Sequence, residues 1–392
     1  MRTKNPGIYI TAILPAHNEA NDVTAAIESI RKHVDRIIVA CDNCSDNTYQ
    51  VATKAGADCV FATVHNFHRK AGALNQALTH YVNWKLKNQY LLIMDADTVV
   101  VNPRQWFNKA ASLVVPNRPA LAPKYKRLSY SQRLLMRTFH YRKYRHIFDG
   151  KAYDCVGSIF QAPRRLDHNT NLEEGQRLEW EAYASKIERM QRVYVLTGTC
   201  SLFSAVVMKK VYALHHYQYF YDVHSITEDF AMTVSTKEVG ARLISPTDCL
   251  CITATKDHFK DLLVQRRRWN LGALQLVNEH KINNVTILYI LQQIKLFISV
   301  FAYLLFLVMA IYLYGTGHIE LTVFWTVIFL GFDITQTAEI WKYGSWFDRI
   351  YSFSIIGWLV YSLFLQIAYL WALETMIDRH KVYWNRNQRS KE

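Results

Sequence analysis

The chain has 392 residues and a formal net charge of +14, and it is 51% hydrophobic and 14% aromatic. That length allows two or three domains, and 14 Gly with 8 Pro exclude collagen-like, low-complexity and disordered classes. Most charge lies before about residue 285 and most long apolar runs lie after it. The pattern points to a soluble domain held on a membrane, whose basic excess suits anionic lipid or phosphorylated substrates better than nucleic acid.

In chain order, residues 8–14, 36–41, 57–63 and 90–94 read as largely buried strands rich in Ile, Val and Leu. Residues 23–33, 48–55 and 71–87 carry helical patterning between them. This alternation predicts a parallel, doubly wound sheet. Such sheets bind ligands beyond the carboxyl ends of their strands, where strand order reverses.

Polar clusters follow three of these strands: Pro15-Ala16-His17-Asn18-Glu19, then Asp42-Asn43-Cys44-Ser45-Asp46-Asn47-Thr48, then Asp95-Ala96-Asp97-Thr98. Each alone is ordinary turn and N-cap chemistry; together they would converge on one sheet edge. Two carboxylates in an Asp-x-Asp pair can hold a hard divalent cation on a diphosphate. Lys70 lies at a helix start, where its charge and free N–H groups both favour phosphate.

Residues 124–150 form a basic, aromatic-rich stretch that reads as an amphipathic helix on a membrane surface or as a solvated helix. A further helical stretch at 173–193 precedes Gly198-Thr199-Cys200. Thr227-Glu228-Asp229 opens a helix-like run ending near Gly240, which places Asp229 in a first turn. Gln265-Arg266-Arg267-Arg268-Trp269 is expected to follow a helix over 256–264. Glu228 and Asp229 could simply complement a helix dipole, and the arginines could be a solvated face. Alternatively, a ring beside arginines can stack on a sugar while the cations grip phosphate.

Residues 296–314 and 350–373 have the length and apolarity to cross a bilayer, 321–338 is weaker because of Asp333 and Gln336, and 285–295 suits the interface. The basic tail 379–392 favours a cytosolic end and hence an even number of spans. Seven cysteines without a regular framework indicate a reducing compartment, and Cys41-x-x-Cys44 reads as a loop at a strand end. The first residues lack the apolar core of a signal peptide, so the catalytic part is expected in the cytosol.

Asp42, Asp95-x-Asp97, Thr227-Glu228-Asp229 and Gln265-x-x-Arg268-Trp269 stand in an order that resembles membrane-embedded family 2 glycosyltransferases, the group of cellulose, chitin, hyaluronan and poly-N-acetylglucosamine synthases. The resemblance spans roughly residues 8–275. It implies an α/β, GT-A type doubly wound mixed sheet (Rossmann-like) with amphipathic interface helices and a C-terminal α-helical transmembrane region. The expected division is a cytosolic GT-A domain at 1–284, with interface helices near 129–149 and 255–284, then membrane helices at 285–378 and the basic cytosolic tail at 379–392.

The resemblance also implies a UDP-sugar donor, with UDP-N-acetylglucosamine or UDP-glucose expected, and Mg²⁺ or Mn²⁺ as cofactor. Pro15, His17, Glu19, Asp42 and Lys70 would line the nucleotide pocket. Asp95 would sit beside the UDP, and Asp97 would coordinate the metal. Asp229 would be the general base, with Glu228 beside it. Gln265, Arg268 and Trp269 would hold the diphosphate and the acceptor end, and Gly198, Thr199 and Cys200 would lie near the acceptor sugar. The expected activity is inverting transfer that extends a β-linked polysaccharide. Single addition to a lipid carrier or glycolipid is the alternative, and a non-catalytic sugar-nucleotide sensor is a third. Membrane lipid is an expected partner, nucleic acid is not, and so few apolar segments would leave export to a homo-oligomer or partner subunit.

Overall fold

A computed structural model of the chain describes residues 7–115, 152–163, 171–190, 193–280, 282–318, 346–353 and 355–378, with scattered positions between 320 and 341. The basic stretch at 124–150, most of the segment at 321–338 and the tail at 379–392 lie outside the described residues. The residues divide into two compact units. The first takes in 1–163, 186–224 and 228–254, and the second 164–185, 225–227 and 255–392.

The first unit is built on β1 (Tyr9–Ala16), α1 (Val23–Arg31), β2 (Arg36–Cys41), α2 (Thr48–Lys54), β3 (Cys59–Ala62), α3 (Arg69–Gln76) and β4 (Gln89–Met94). β5 (Val99–Val100), α4 (Pro103–Val114), β6 (Cys155–Gly157) and β7 (Ile159–Gln161) follow. A seven-stranded sheet has the order β3-β2-β1-β4-β8-β6-β9, where β8 is Cys200–Ser204 and β9 is Leu243–Ile244. β3, β2, β1 and β4 run parallel, whereas β8 pairs antiparallel with both β4 and β6. The sheet is therefore mixed, not wholly parallel. A small sheet of order β5-β10-β7 uses β10 (Leu250–Ile252).

Side-chain alternation explains why β2 is apolar throughout after Arg36. Ile37, Val39 and Cys41 face a layer holding α1 and α4, while Ile38 and Ala40 face one holding α3 and α6 (Ala205–Leu214). β1 feeds β2 and β3 on one side, and the chain then crosses back so that β4 lies on β1's other side. The reversal between β1 and β4 opens a crevice at their carboxyl ends. Pro15 marks its mouth. The β1–β4 pairing ends at Ile13↔Ile93, whereas pairing with β2 continues through Pro15↔Ala40, so the missing N–H falls where β4 no longer pairs.

The helix expected over 71–87 ends at Tyr81 after a π turn, Ala77–Tyr81, because Val82 turns extended. The Trp84 indole N–H donates to the Leu78 carbonyl at 2.9 Å and satisfies a backbone acceptor freed there.

The second unit is helical: most of α5 (Asn171–Met190), then α8 (Phe259–Glu279), α9 (Ile287–Gly315), α10 (Trp346–Phe353) and α11 (Ile355–Ile377). α7 (Glu228–Glu238) belongs to the first unit. α8 packs on α11 and α9 through Leu271, Leu274, Val300, Tyr369 and Ala372. It does not stop before residue 265 as expected, but carries residues 265–269 in mid-helix, since nothing in that run breaks a helix. The segment at 285–295 is continuous, from Ile287, with the apolar run in α9.

Candidate active site

The carboxyl ends of β1, β2 and β4 carry the polar clusters read from the sequence. His17 and Asp42 meet directly, His17 Nδ1 lying 2.6 Å from the Asp42 carbonyl oxygen. The buried Asp42 carboxylate accepts at Oδ1 from Asn43 Nδ2 (3.0 Å), Thr63 Oγ1 (3.0 Å) and Asn66 Nδ2 (2.6 Å). Three donors on one oxygen fix the carboxylate in orientation. The Glu19 backbone is tied to α2, its N–H donating to Thr48 Oγ1 at 2.8 Å.

A second cluster gathers residues distant in sequence. α3 begins with Arg69 and Lys70, and Lys70 Nζ reaches Asp95 Oδ1 at 2.5 Å and Glu228 Oε1 at 3.3 Å. The backbone N–H of Asp95 is shared between the carbonyls of Gly198 and Thr199, at 3.1 and 3.3 Å. Asp229 Oδ2 accepts from the Gly198 N–H at 3.4 Å, and its Oδ1 from the Phe230 N–H at 2.8 Å. Lys70, Thr197, Gly198, Ser201, Tyr221, Glu228 and Asp229 line one small cavity. Asp97 does not line that cavity; the Thr98 and Thr253 hydroxyls approach its Oδ1 at 3.3 and 3.5 Å.

The electrostatics follow from this crowding. Burial is the largest influence on Asp95 and pushes its carboxyl up to about 6; Asp97 and Glu228 add to the rise, while Lys70 opposes it. Burial acts against the Lys70 charge, but Asp95, Glu228 and Asp229 together more than offset it and raise the ammonium above its ordinary value. Lys70 therefore stays charged at neutral pH among three carboxylates. A cation so placed can stabilise negative charge that develops beside it.

Cys200 is separate from this cluster. It is wholly buried in β8 within the layer that holds Leu202 and Cys251, so strand alternation turns Ser201 and not Cys200 to the cavity. In the second unit, Gln265 Oε1 accepts from Arg266 Nη1 at 2.7 Å, and Arg266 stacks over the Trp269 ring at 4.2 Å. Arg268 Nη1 lies 3.5 Å from the Ile226 carbonyl oxygen.

Sequence reasoning missed Asn75, Tyr221 and Arg266. Asn75 sits on the same helix as Lys70 and clamps the Phe220–Tyr221 backbone. Its Oδ1 accepts from both N–H groups at 2.9 Å, and its Nδ2 donates to the Tyr221 carbonyl at 2.8 Å. The local signal was an amide following Lys70 on one short helix, but its partners lie over a hundred residues away.

A profile of Glycosyl transferase family 2 matches residues 11–166, and one of Glycosyl transferase family group 2 matches residues 144–373. The second match covers more than half of the sequence, and the chain belongs to glycosyl transferase family group 2. The fold is similar to that of mannosyltransferase PcManGT from Pyrobaculum calidifontis in complex with GDP-Man and Mn²⁺, at 14% identity over 95% of this chain and 88% of that one, with a TM-score of 0.50. Lower similarity is found to S. aureus TarS 1–349 (13% identity, 70% of this chain and 67% of that one, TM-score 0.40). Glucosyl-3-phosphoglycerate synthase from Mycobacterium tuberculosis with Mg²⁺ and uridine-diphosphate is comparable (15% identity, 67% and 78%, TM-score 0.38). No curated protein matches the chain.

Proposed function

We propose that this glycosyltransferase is an inverting, metal-dependent enzyme that uses a UDP-sugar, UDP-N-acetylglucosamine ahead of UDP-glucose, to extend a β-linked polysaccharide at a membrane. The observation that carries the reading is the Lys70 ammonium set between Asp95 and Glu228, with Asp229 bonded to the Gly198 N–H of the same cavity.

Asp42, with Pro15, His17 and Glu19 around the same crevice, holds the nucleotide, its second carboxylate oxygen accepting from the base. Lys70 holds the diphosphate. Asp229 takes the proton from the acceptor hydroxyl as that oxygen bonds to the anomeric carbon. The bond from that carbon to the diphosphate oxygen breaks, and the UDP leaves with the electron pair. A single displacement converts an α-linked donor to a β-linked product and needs no covalent nucleophile. Glu228 keeps Lys70 oriented, while Gln265, Arg268 and Trp269 take the diphosphate and the acceptor end. Gly198 and Thr199 shape the acceptor side.

Among the described residues no group of three or more His, Cys, Asp or Glu side chains is arranged to hold a metal by itself. An Asp95/Asp97 pair still suits Mg²⁺ or Mn²⁺, which take one or two carboxylates and complete their shell with phosphate and water. Asp97 would hold the ion with Asp95 beside it. When bound, the ion neutralises charge on the diphosphate.

The membrane reading is supported by α9, the one helix among the described residues long and apolar enough to cross a bilayer. Its 29 residues span about 43 Å, more than the roughly 30 Å hydrocarbon core. Leu305, Val308 and Ile311 on it are more than half exposed, a face that suits lipid. We place the first unit on the cytoplasmic side, where sugar nucleotides are supplied.

The test is turnover of UDP- and GDP-sugars by the detergent-purified chain with Mn²⁺ or Mg²⁺, followed by sizing of the product. UDP release from one donor, lost in Asp97→Asn and accompanied by long polymer, is the expected result. One added sugar would replace the polymer by single transfer, and turnover of GDP-sugars alone would replace the donor.

A further inference from the structure

The three consecutive arginines of α8 go to three different places. Arg267 lies over the Trp371 ring at 4.0 Å and donates to Thr375 Oγ1 at 2.9 Å. Arg268 reaches the Ile226 carbonyl. Arg266 turns inward and is only 3% exposed. A guanidinium so buried must have its donors satisfied and its charge paired. Glu179 of α5 supplies both, its Oε2 accepting from Arg266 Nε at 3.2 Å and from Nη2 at 2.8 Å. The same carboxylate oxygen accepts from the Tyr361 hydroxyl of α11 at 2.6 Å. Tyr361 reaches it because Gly175, one turn before Glu179 on α5, leaves room for the ring. A Cβ at residue 175 would stand 2.4 Å from Tyr361 Cδ2.

The free edge and the face of the Arg266 guanidinium are also used. Nη1 donates to Gln265 Oε1 at 2.7 Å, and the plane covers the half-buried Trp269 ring at 4.2 Å, one turn further along α8. Arginine has no acceptor, so it can hold Gln265 by its oxygen alone. That fixes which end of the amide points away: the Nε2 donors, which can bond a phosphate oxygen, and not the carbonyl, which would repel it.

We infer that Arg266 is the positioning residue of the Gln265–Trp269 segment, set in place by Glu179 and Tyr361, and that it determines both the donor face of Gln265 and the plane of the Trp269 ring. The inference rests on the reading that Gln265 and Trp269 meet the diphosphate and the acceptor end. Lysine cannot substitute, because a point charge neither stacks on an indole nor donates in two fixed directions.

The experiment compares the wild-type full chain in detergent with Arg266→Lys and Tyr361→Phe, the second removing one hydroxyl and sparing the buried charge. One readout needs no activity: the Trp269 emission, isolated by subtracting the spectrum of the matching Trp269→Phe variant. In Arg266→Lys this signal shifts to the red and its acrylamide quenching rises at least twofold; Tyr361→Phe gives a smaller change in the same direction. The second readout is kinetic, with cellotetraose as acceptor for UDP-glucose and chitotetraose for UDP-N-acetylglucosamine. In Arg266→Lys the acceptor KM rises about tenfold and UDP binding weakens at least threefold, since the Gln265 amide loses the bond that orients it. An unchanged Trp269 signal in both folded variants would overturn the inference. A changed signal with acceptor KM unaltered would keep the positioning but reject the acceptor role. Failure of the wild type to turn over any donor would count against the proposed function and leave the fluorescence result to decide the positioning.

Discussion

Gly198 and Lys70 are fitted to each other: a Cβ on residue 198 would stand 2.2 Å from Lys70 Nζ and 3.3 Å from Asp95 Oδ2. The absence of a side chain at that position lets the ammonium settle on the carboxylate, while the Gly198 carbonyl and N–H bond Asp95 and Asp229. Lys70, Asp95 and Asp229 thus share one glycine as their spacer.

Gly198→Ala should therefore harm function more than folding. Nζ is the end of a flexible side chain and can swing away, so unfolding free energy should fall by no more than about 1 kcal/mol. Moving the cation off Asp95 should cost about ten- to a hundredfold in kcat, on the scale of a lost electrostatic contact in a water-poor site. Denaturant titration beside steady-state kinetics separates the two effects.

Asn75→Ala removes three hydrogen bonds from the Phe220–Tyr221 backbone. Leaving partly buried backbone groups unpaired costs about 1–3 kcal/mol each at most, and local opening can relieve some of it. Hydrogen exchange should show the amides of Phe220 and Tyr221 losing protection, while those of β1 and β2 do not change. Because Tyr221 lines the cavity with Glu228 and Asp229, kcat should fall as well. Asn75→Asp keeps the two bonds to Oδ1 but sets an acceptor against the Tyr221 carbonyl, and should fall between wild type and alanine.

In the helical unit, Arg177 Nη2 is held between Glu174 and Asp348, both buried. One guanidinium nitrogen cannot neutralise two desolvated carboxylates. Burial, and next the hydrogen bond to Asp348, push the Glu174 carboxyl up to about 6 from its ordinary 4.5, against the pull of Arg177. A carboxyl raised on folding adds stability below its unfolded value, and that contribution disappears as pH rises through about 6. At 1.36 kcal/mol per unit, the loss is about 2 kcal/mol. Glutamine can donate to Asp348 and accept from Arg177 at any pH, so Glu174→Gln should gain stability over wild type between pH 5 and 7.5. Thermal unfolding of both proteins at the two pH values tests this; a constant difference would refute it.

Gly272 of α8 lies against Thr227, where an added Cβ would stand 2.4 Å from Oγ1 and 2.5 Å from Cγ2. Thr227 immediately precedes Glu228 and Asp229, so pushing it displaces the start of α7. Gly272→Ala should lower kcat at least tenfold, and Thr227→Ala in the same chain should restore part of it by removing the two nearest of the three opposing atoms, leaving Cβ at 2.9 Å. A size exchange of this kind distinguishes lost space from lost helix propensity, which alanine improves.

The sequence disclosed the sheet better than its surroundings. β2 falls on residues 36–41 as read, since a strand buried on both faces is marked by the unbroken apolar run that follows Arg36. β1 runs on to Ala16, past a proline that local rules would treat as an end, because only the β4 side has stopped pairing there. Lys70, Asp95, Glu228 and Asp229 were each legible as chemistry at an element's start or end, and the fold gathers them. Asn75 and Arg266 were not legible as site residues. An amide inside a short helix and an arginine inside an arginine run acquire their roles from Tyr221 and Glu179, partners that no local pattern names. The extent of α8 was hidden for a related reason, since its continuation through residue 279 depends on packing against α9 and α11.

The general base is the centre of the account, and Asp229→Asn tests it most directly. The substitution keeps the shape of the side chain and one of its two acceptors, which can stay on the Phe230 N–H while the longer bond from the Gly198 N–H is lost. With the donor that the wild type turns over, UDP release should fall by about 10²–10⁴-fold, the usual contribution of a positioned base, while UDP binding in Mn²⁺ stays within threefold. Turnover near the wild-type rate would contradict the assignment and move the proton to another group in the cavity.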